Sequence, residues 1–473
     1  VRLSELIGDT RVPRGTLAAP ADAADPVISG VELDSRAVVD GTLFCCVPGA
    51  SADGHDFAAA AVANGAAALL VERHLDLDVP QVVTADARAM VGHLAAAFHG
   101  HPADSLTMVG VTGTNGKTTT TSLIAAVLRH TGWPTGLIGT LSGAHTTPEA
   151  PELQARLARF RSEGYRAVVM EVSSHALALH RVNGCQFDLA VFTNLGRDHL
   201  DLHGTMERYF AAKALLFTPT LSRRGLVNRD DVHGRLLIDA AQIPTDTFGL
   251  DDVTDIEVSA ARHGYRWHGT AVEVPLGGRF NVANSIAAAR ACELLGLAPD
   301  VVAAGLATMP PVPGRLEAVE AGQPFTVLVD YAHTPDGLRE LLSTVGEVTR
   351  PAGGRVLVVF GCGGDRDRDK RAEMGAVAAE LAELVVVTSD NPRSEEPQAI
   401  IDAVCAGVPE GYGDRLVTQV DRRAAIGTAL SAARPGDAVV IAGKGHETTQ
   451  TIGADVVAFD DRLVARELLE ALR

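Results

Sequence analysis

No apolar run in this 473-residue chain approaches the ~18 consecutive residues that a membrane-spanning helix needs, so no span is expected. The opening stretch, VRLSELIGDT, lacks a charged segment followed by an apolar one, and a cytoplasmic location is the expectation. Cysteine is sparse: Cys45, Cys46, Cys185, Cys292, Cys362 and Cys405 form no C-x-x-C pair and no Cys/His zinc spacing. They are expected as buried small hydrophobes in a reducing compartment. Positive charge is also short, with 41 Lys+Arg against 59 Asp+Glu for a net −18. That balance disfavours nonspecific nucleic-acid binding, which needs clustered basic residues. What is present is a chain of 46% hydrophobic residues and mean hydropathy +0.13, suited to globular order. Its length allows roughly three domains of ~150 residues.

The stretch richest in chemistry is Thr107–His130, TMVGVTGTNGKTTTTSLIAAVLRH. A short apolar strand runs into the loop Gly113-Thr114-Asn115-Gly116-Lys117-Thr118-Thr119, then into a helix with Leu123, Ile124, Val127 and Leu128 on one face. Glycines let backbone N–H groups converge on an anion, the helix N-terminus adds partial positive charge, Lys117 reaches the outer phosphates, and the Thr118 hydroxyl can hold Mg²⁺. A nucleoside triphosphate, ATP or GTP, is the expected ligand.

Ahead of that loop, residues 1 to about 100 read as a small α/β domain, with strands near Ile28–Leu33, Thr42–Val47, Ala67–Val71 and Gln81–Thr84 and helices near Phe57–Asn64 and Asp86–Phe98. From about 103 to 315 the chain alternates β and α, implying a mostly parallel sheet whose ligands sit at the carboxyl ends of strands. Glu171 and His199 follow consecutive strands there and suggest divalent-cation ligands beside the phosphates. Lys213 lies among Ala, Leu and Phe. From spacing alone it reads as a lysine reaching solvent, although an amine in apolar surroundings loses its charge and can add CO₂ as a carbamate.

Thr245–His268 carries few signals, and Asn281 and Asn284 open a helix, fitting either N-capping or contact with a base edge. Pro310–Arg315 reads as a linker. Beyond it, four strand-then-loop units place Arg366, Asp390, Asn391, Arg393 and Glu447 on one sheet edge, a set able to bind a small zwitterion.

The motifs LDSR, GTNGKTTT, TTPE, MEVSSHALALHRV, FTNLGRDHLDLHGTMERYFAAK, PVPGRLE, DYAHTP, GCGGDRDRDKR, DNPR and GKGHE resemble, in order and spacing, those of the Mur ligase family along nearly the whole chain. The resemblance implies an α/β fold of three domains. These would be a UDP-substrate domain at 1–100, a central P-loop ATP-binding domain with a mostly parallel sheet at 101–315, and a C-terminal Rossmann-like amino-acid domain at 316–473.

The resemblance also implies site roles. Gly113 to Thr119, Asn281, Arg315 and Asp330 would contact ATP. Thr118 and Glu171 would hold one Mg²⁺, and His199 with Lys213, the latter as the carbamate, a second. Leu33, Ser35, Ala50, Ser51 and Ala52 would hold the UDP part, with Thr146, Thr147, Ser173 and Arg181 near the muramoyl-peptide. Arg366, Asp390, Asn391, Arg393, Gly443 and Glu447 would bind the amino acid. The D-N-P-R form is the family's diaminopimelate marker.

The implied activity is ATP-dependent addition of meso-diaminopimelate to UDP-N-acetylmuramoyl-L-alanyl-D-glutamate through an acyl phosphate. Lys117, Glu171, His199, Lys213 and Arg315 would carry the chemistry, in a monomer that takes part in peptidoglycan synthesis. Alternatives are a related ligase with another acceptor, lysine-adding or folylpolyglutamate-type, and a noncatalytic nucleotide-binding regulator. The segment between Thr140 and Thr146 is shorter than relatives usually have, and His145 stands where Asn is expected.

Overall fold

The computed structural model describes residues 1–12, 25–49, 52–143, 145–259 and 261–472, and three mostly parallel sheets follow one another along them. The first is four-stranded and wholly parallel, in the order Gly30–Glu32, Thr42–Cys45, Ala66–Val71, Gln81–Val83. Its helix Ala87–Phe98 is capped by Asp86, whose side chain accepts from Ala89 N–H. The helix expected over Phe57–Asn64 is a 3₁₀ turn, Gly54–Phe57, leading into a shorter helix, Ala58–Ala63.

The second sheet has six parallel strands in the order Thr245–Phe248, Gly225–Asn228, Leu189–Phe192, Thr107–Thr112, Ala167–Glu171, Thr135–Ile138. The strand that feeds the glycine loop therefore lies between Leu189–Phe192 and Ala167–Glu171. From it the chain moves first to one side of the sheet and later to the other, and such a switch opens a crevice at the carboxyl ends of the strands.

Helix Lys117–His130 is more deeply embedded than a one-faced amphipath. Besides Leu123, Ile124, Val127 and Leu128, its Thr118, Thr119, Thr120 and Thr121 are buried, because helices Arg279–Leu294 and Pro299–Ala307 pack on it. A Cβ at Gly305 would stand 2.7 Å from Val127 Cα, so that crossing depends on a glycine.

Thr245–His268, poor in sequence signals, holds the edge strand Thr245–Phe248 and most of a three-stranded antiparallel sheet, Val253–Val258, His263–Trp267 and Thr270–Val274. Tyr265, Trp267, Val272 and Val274 join the main core there.

The third sheet runs Glu317–Ala318, Thr326–Asp330, Ala438–Ala442, Val356–Phe360, Leu384–Thr388, Leu416–Gln419, with only the first strand antiparallel. Glu317–Ala318, Leu416–Gln419 and a terminal hairpin, Thr449–Ile452 with Asp455–Ala458, add to the four strands expected. This mixed α/β architecture is the fold class expected from the βα alternation.

Five of the six cysteines are buried and Cys405 is half-buried. Burial pushes the Cys46, Cys185 and Cys362 thiols up to about 12, as for inert packing groups. Among the described residues no helix is long and apolar enough to cross a membrane.

Candidate active site

The glycine loop is braced from one side by the loop that follows Leu189–Phe192. Thr114 N–H donates to Asn194 O at 2.9 Å, Asn115 N–H to Asn194 Oδ1 at 2.9 Å, and Thr193 Oγ1 to Asn115 O at 2.7 Å. Those two N–H groups are spent on the protein, so the donors left for an anion are at the start of helix Lys117–His130, where the first turn has no helical acceptors.

Gly116, the residue before that helix, has φ +84°, and a Cβ on it would collide with Asn284 Oδ1. Gly116→Ala is accordingly expected to cost about 1–3 kcal/mol of stability, read as a lower denaturant midpoint.

Lys117 folds back over the loop, with Nζ donating to Gly113 O at 2.8 Å and Thr114 O at 2.9 Å. Lys213 Nζ donates to the same Gly113 oxygen at 2.9 Å. Two amines thus share one carbonyl. Burial and then the charge of Lys117 push Lys213 well below the ordinary lysine value, which favours its neutral form. Lys213 is 1% exposed and does not reach solvent, which corrects the reading from spacing alone. The whole chain has four lysines, 117, 213, 370 and 444, and the last three are buried.

Glu171, at the end of its strand, accepts from Thr140 N–H at 2.9 Å, Thr140 Oγ1 at 3.2 Å and Thr118 Oγ1 at 3.1 Å. Arg315 Nη2 donates to the same Thr118 hydroxyl at 3.1 Å, so residues from strand end, loop and linker meet at one oxygen. The Arg315 guanidinium stands 4.5 Å from the centre of the Tyr331 ring. Asp330 is buried and fixed by the N–H groups of Leu316 and Ala332, both at 2.8 Å; burial raises its pKa.

His199, in left-handed backbone at φ +54°, has Nε2 3.3 Å from Asp198 Oδ2, and His333 approaches the same carboxylate at 3.6 Å. Burial pushes His199 down to about 3 despite the pull of Asp198, so its imidazole is neutral. Burial works to raise Asp198, but the approach of His333 and the neighbouring charges hold it well below the carboxylate range.

Most of these groups, but not Gly113 or Lys213, line a cavity of about 450 Å³ between the second and third sheets. Thr114 to Thr119, Thr146, Glu171, Ser173, His199, Arg315 and Asp330 reach it. Asn281 does not: it is 1% exposed, its amide donates to Gly277 O at 2.7 Å, and it accepts from Asn284 at 2.9 Å. Neither asparagine caps the helix, which starts after Gly278 without a side-chain cap, and Asn284 is the one that lines the cavity. Asn194, Asp198, Tyr331 and His333 also line it and were not singled out from sequence. All four follow strand ends, in the runs NLGRDH and DYAHTP, where the carboxyl-edge rule could have found them.

A second cavity, of about 600 Å³, lies at the first sheet and is lined by Leu33 and Ser35 together with Arg36, Phe57 and Arg88. Ala52 is exposed; Ala50 and Ser51 lie outside the described residues. Between the two cavities, Thr147 Oγ1 donates to Glu171 O at 2.9 Å and accepts from Ser173 N–H at 3.0 Å. Arg181 donates to Thr147 O at 3.1 Å and pairs with Glu149, a lining residue of the second cavity, at 2.6 Å. Despite the short preceding segment, Thr146 Oγ1 stays 3.0 Å from Thr140 Oγ1.

At the third sheet's carboxyl edge, Asn391 Nδ2 donates to Asp390 Oδ1 at 3.0 Å and Glu447 Oε2 at 2.8 Å. Buried Lys444 donates to the same Glu447 oxygen at 3.0 Å. Gly443, at φ +110°, leaves room for Asp390: a Cβ would stand 2.7 Å from Oδ2. Arg393, at φ +51°, is pinned by its N–H to Thr451 O at 3.1 Å and by Gly453 N–H to its own carbonyl at 2.7 Å, so the terminal hairpin holds this loop. Its Nη1 donates to Gly364 O at 2.7 Å. Arg366 is apart from this network: half its side chain is exposed, and its nearest acidic partner is Asp201, 3.9 Å away.

Three family models match the chain: "Mur ligase family, catalytic domain" over 27–100, "Mur ligase middle domain" over 111–292 and "Mur ligase, glutamate ligase domain" over 314–445. Among curated relatives, the UDP-N-acetylmuramoyl-L-alanyl-D-glutamate–2,6-diaminopimelate ligase of Geobacillus kaustophilus is 48% identical, covering 93% of this chain and 95% of that protein. The enzyme of the same name from Streptomyces avermitilis is 45% identical over 96% and 95%. A solved structure of a ligase of that name is 35% identical and superposes with TM-score 0.65, covering 94% of this chain and 95% of its own. The chain belongs to the Mur ligase family.

Proposed function

We propose that this chain is an ATP-dependent ligase joining meso-diaminopimelate to UDP-N-acetylmuramoyl-L-alanyl-D-glutamate, in the cytoplasmic stage of peptidoglycan precursor synthesis. The observation that carries the reading is the meeting of Glu171, Thr118 and Arg315 at the mouth of a phosphate-binding loop, within one chamber between two parallel sheets. The names of the 45–48% identical relatives supply the substrates. In this reading residues 1–100 hold the UDP part, 101–315 hold ATP, and 316–473 hold the amino acid.

The γ-carboxylate of the D-glutamyl residue attacks the γ-phosphorus of ATP, the bond to the bridging oxygen breaks, and ADP leaves. The amine of diaminopimelate then attacks the acyl carbon, loses a proton and expels phosphate, so that acid, amine and ATP become amide, ADP and phosphate. Lys117 and Arg315 bring fixed positive charge to oxygens that gain negative charge in the first step. The first turn of helix Lys117–His130 orients the phosphates, and Tyr331 and His333 line the same cavity from the third sheet.

The donor set suits Mg²⁺. Thr118 and Glu171 offer the oxygens it takes, and His199 is a neutral imidazole. Among the described residues no group of three or more His, Cys, Asp or Glu could hold a metal alone, which fits a cation completed by phosphate oxygens and water. When bound, Mg²⁺ neutralises charge on the transferring phosphoryl group. The Lys213 amine, buried and held towards its neutral form, is poised to add CO₂, forming an N–C bond and releasing one proton, which turns a neutral amine into an anionic oxygen donor.

The test is phosphate release from ATP by the purified chain with UDP-muramoyl-dipeptide and each candidate amino acid. Turnover with meso-diaminopimelate and not L-lysine is expected. Turnover with L-lysine alone would overturn the substrate assignment, and none with any acceptor would overturn the ligase assignment.

A further inference from the structure

Arg422 and Asp461 form an ion pair with no exposed side-chain surface on either partner. The pair is bidentate, with Nε to Oδ1 at 2.8 Å and Nη2 to Oδ2 at 2.7 Å. Each residue opens a helix, Arg422–Ala432 and Asp461–Ala471, and a carboxylate is well placed at a helix start. A buried pair of this kind adds little stability over apolar side chains of the same volume, so stability alone does not account for it.

The remaining donors of the guanidinium suggest another reason. Nη1 donates to Ser389 O at 3.3 Å and Nη2 to Ala442 O at 2.9 Å. Ser389 immediately precedes Asp390, and Ala442 immediately precedes Gly443, so one side chain grips the last carbonyl before each of the two amino-acid loops. Their strands, Leu384–Thr388 and Ala438–Ala442, are not neighbours, because Val356–Phe360 lies between them. Strand pairing therefore sets their spacing only through an intermediary, at about twice the ~4.8 Å strand separation. Arg422 ties the two ends directly, and only the five-donor fork of arginine can serve a carboxylate and two carbonyls together.

We propose that Arg422, oriented by Asp461, is a positioning residue for the amino-acid substrate, acting through the Ser389 and Ala442 carbonyls to hold Asp390 and Asn391 in register with Gly443 and Glu447. The proposal rests on the reading above that these two loops bind the incoming amino acid. The Asn391–Glu447 hydrogen bond of 2.8 Å joins the loops on the site's own side, so a slip of either strand end would break it.

The test compares full-length Arg422→Lys and the double variant Arg422→Met/Asp461→Leu, which removes both buried charges at once, with the parent. Measured are KM for meso-diaminopimelate, ATP and UDP-muramoyl-dipeptide, and ADP formed in a single turnover without amino acid. The double variant is expected to raise KM for diaminopimelate about tenfold, as for one or two lost hydrogen bonds, with ATP KM and single-turnover ADP within about twofold of the parent. Arg422→Lys is expected to fall between. If the double variant does not fold, Arg422→Lys alone decides.

An unchanged KM for diaminopimelate in a folded variant, or an equal rise for ATP, would overturn the proposal. Arg393→Ala and Glu447→Gln run alongside as direct-contact controls. If they too leave that KM unchanged, the reading of the loops as the amino-acid site is what fails.

Discussion

Lys117→Ala is expected to slow ADP formation about a thousandfold, the scale on which a single cation aimed at a transferring phosphoryl group acts. The geometry says why the loss should lie in chemistry more than in folding. Lys117 is the first residue of its helix and its amine bonds to the Gly113 and Thr114 carbonyls of the preceding loop, while that loop is held by separate bonds from Asn194 and Thr193. Removing the amine leaves those braces intact. It also removes the charge that, after burial, depresses Lys213 most, so Lys213 should regain proton affinity and lose some capacity to add CO₂. Rapid-quench ADP measurement with UDP-muramoyl-dipeptide, beside a melting curve, checks this. A folded variant losing less than about tenfold would remove Lys117 from the phosphoryl-transfer step.

Arg393→Ala should lower kcat/KM for meso-diaminopimelate about a hundredfold, because a charge-assisted fork to a carboxylate is lost, with little change in ATP KM. Two features make the effect selective. The Arg393 backbone is set by the hairpin through Thr451 and Gly453, so the loop's path survives truncation, and its guanidinium is tied to Gly364 O, away from the glycine loop. Arg393→Lys should fall between, keeping the charge without the two-pronged donor geometry. Steady-state kinetics varying each substrate in turn decides the matter; equal loss for ATP and amino acid would show that this loop does not read the amino acid.

The nucleotide chamber was largely legible in the sequence because its residues follow apolar strands directly. Gly113 to Thr119, Glu171 and His199 each sit where a strand ends, and a parallel sheet brings such ends together. Less legible were features that depend on contacts between distant segments. From spacing alone Lys213 reads as a snorkelling lysine, whereas helix Met206–Ala214 brings its amine to the Gly113 carbonyl of the glycine loop. Spacing alone treats Asn281 and Asn284 alike and the resemblance selects Asn281, whereas the helix that starts after Gly278 turns Asn281 inward and Asn284 to the cavity.

The antiparallel sheet at 253–274 leaves little sequence signal although His263, Tyr265 and Trp267 alternate inward, because that period-two alternation lasts only five residues and one of its inward positions is a histidine. The terminal hairpin is exposed on nearly all its residues and so has no apolar alternation to find.

The scarcity of lysine has its own consequence. Apart from four residues, every side-chain cation outside histidine in this chain is a guanidinium, which neither acylating nor reductively alkylating reagents readily modify. The outer surface is thus nearly silent to primary-amine chemistry. Lys117 and Lys213 lie at the glycine loop, Lys444 beside Glu447, and Lys370 near enough to act on Asp198. Of the four, only Lys117 is not buried, and it lines the cavity, so side-chain amine labelling of the folded protein is expected to report on the glycine loop.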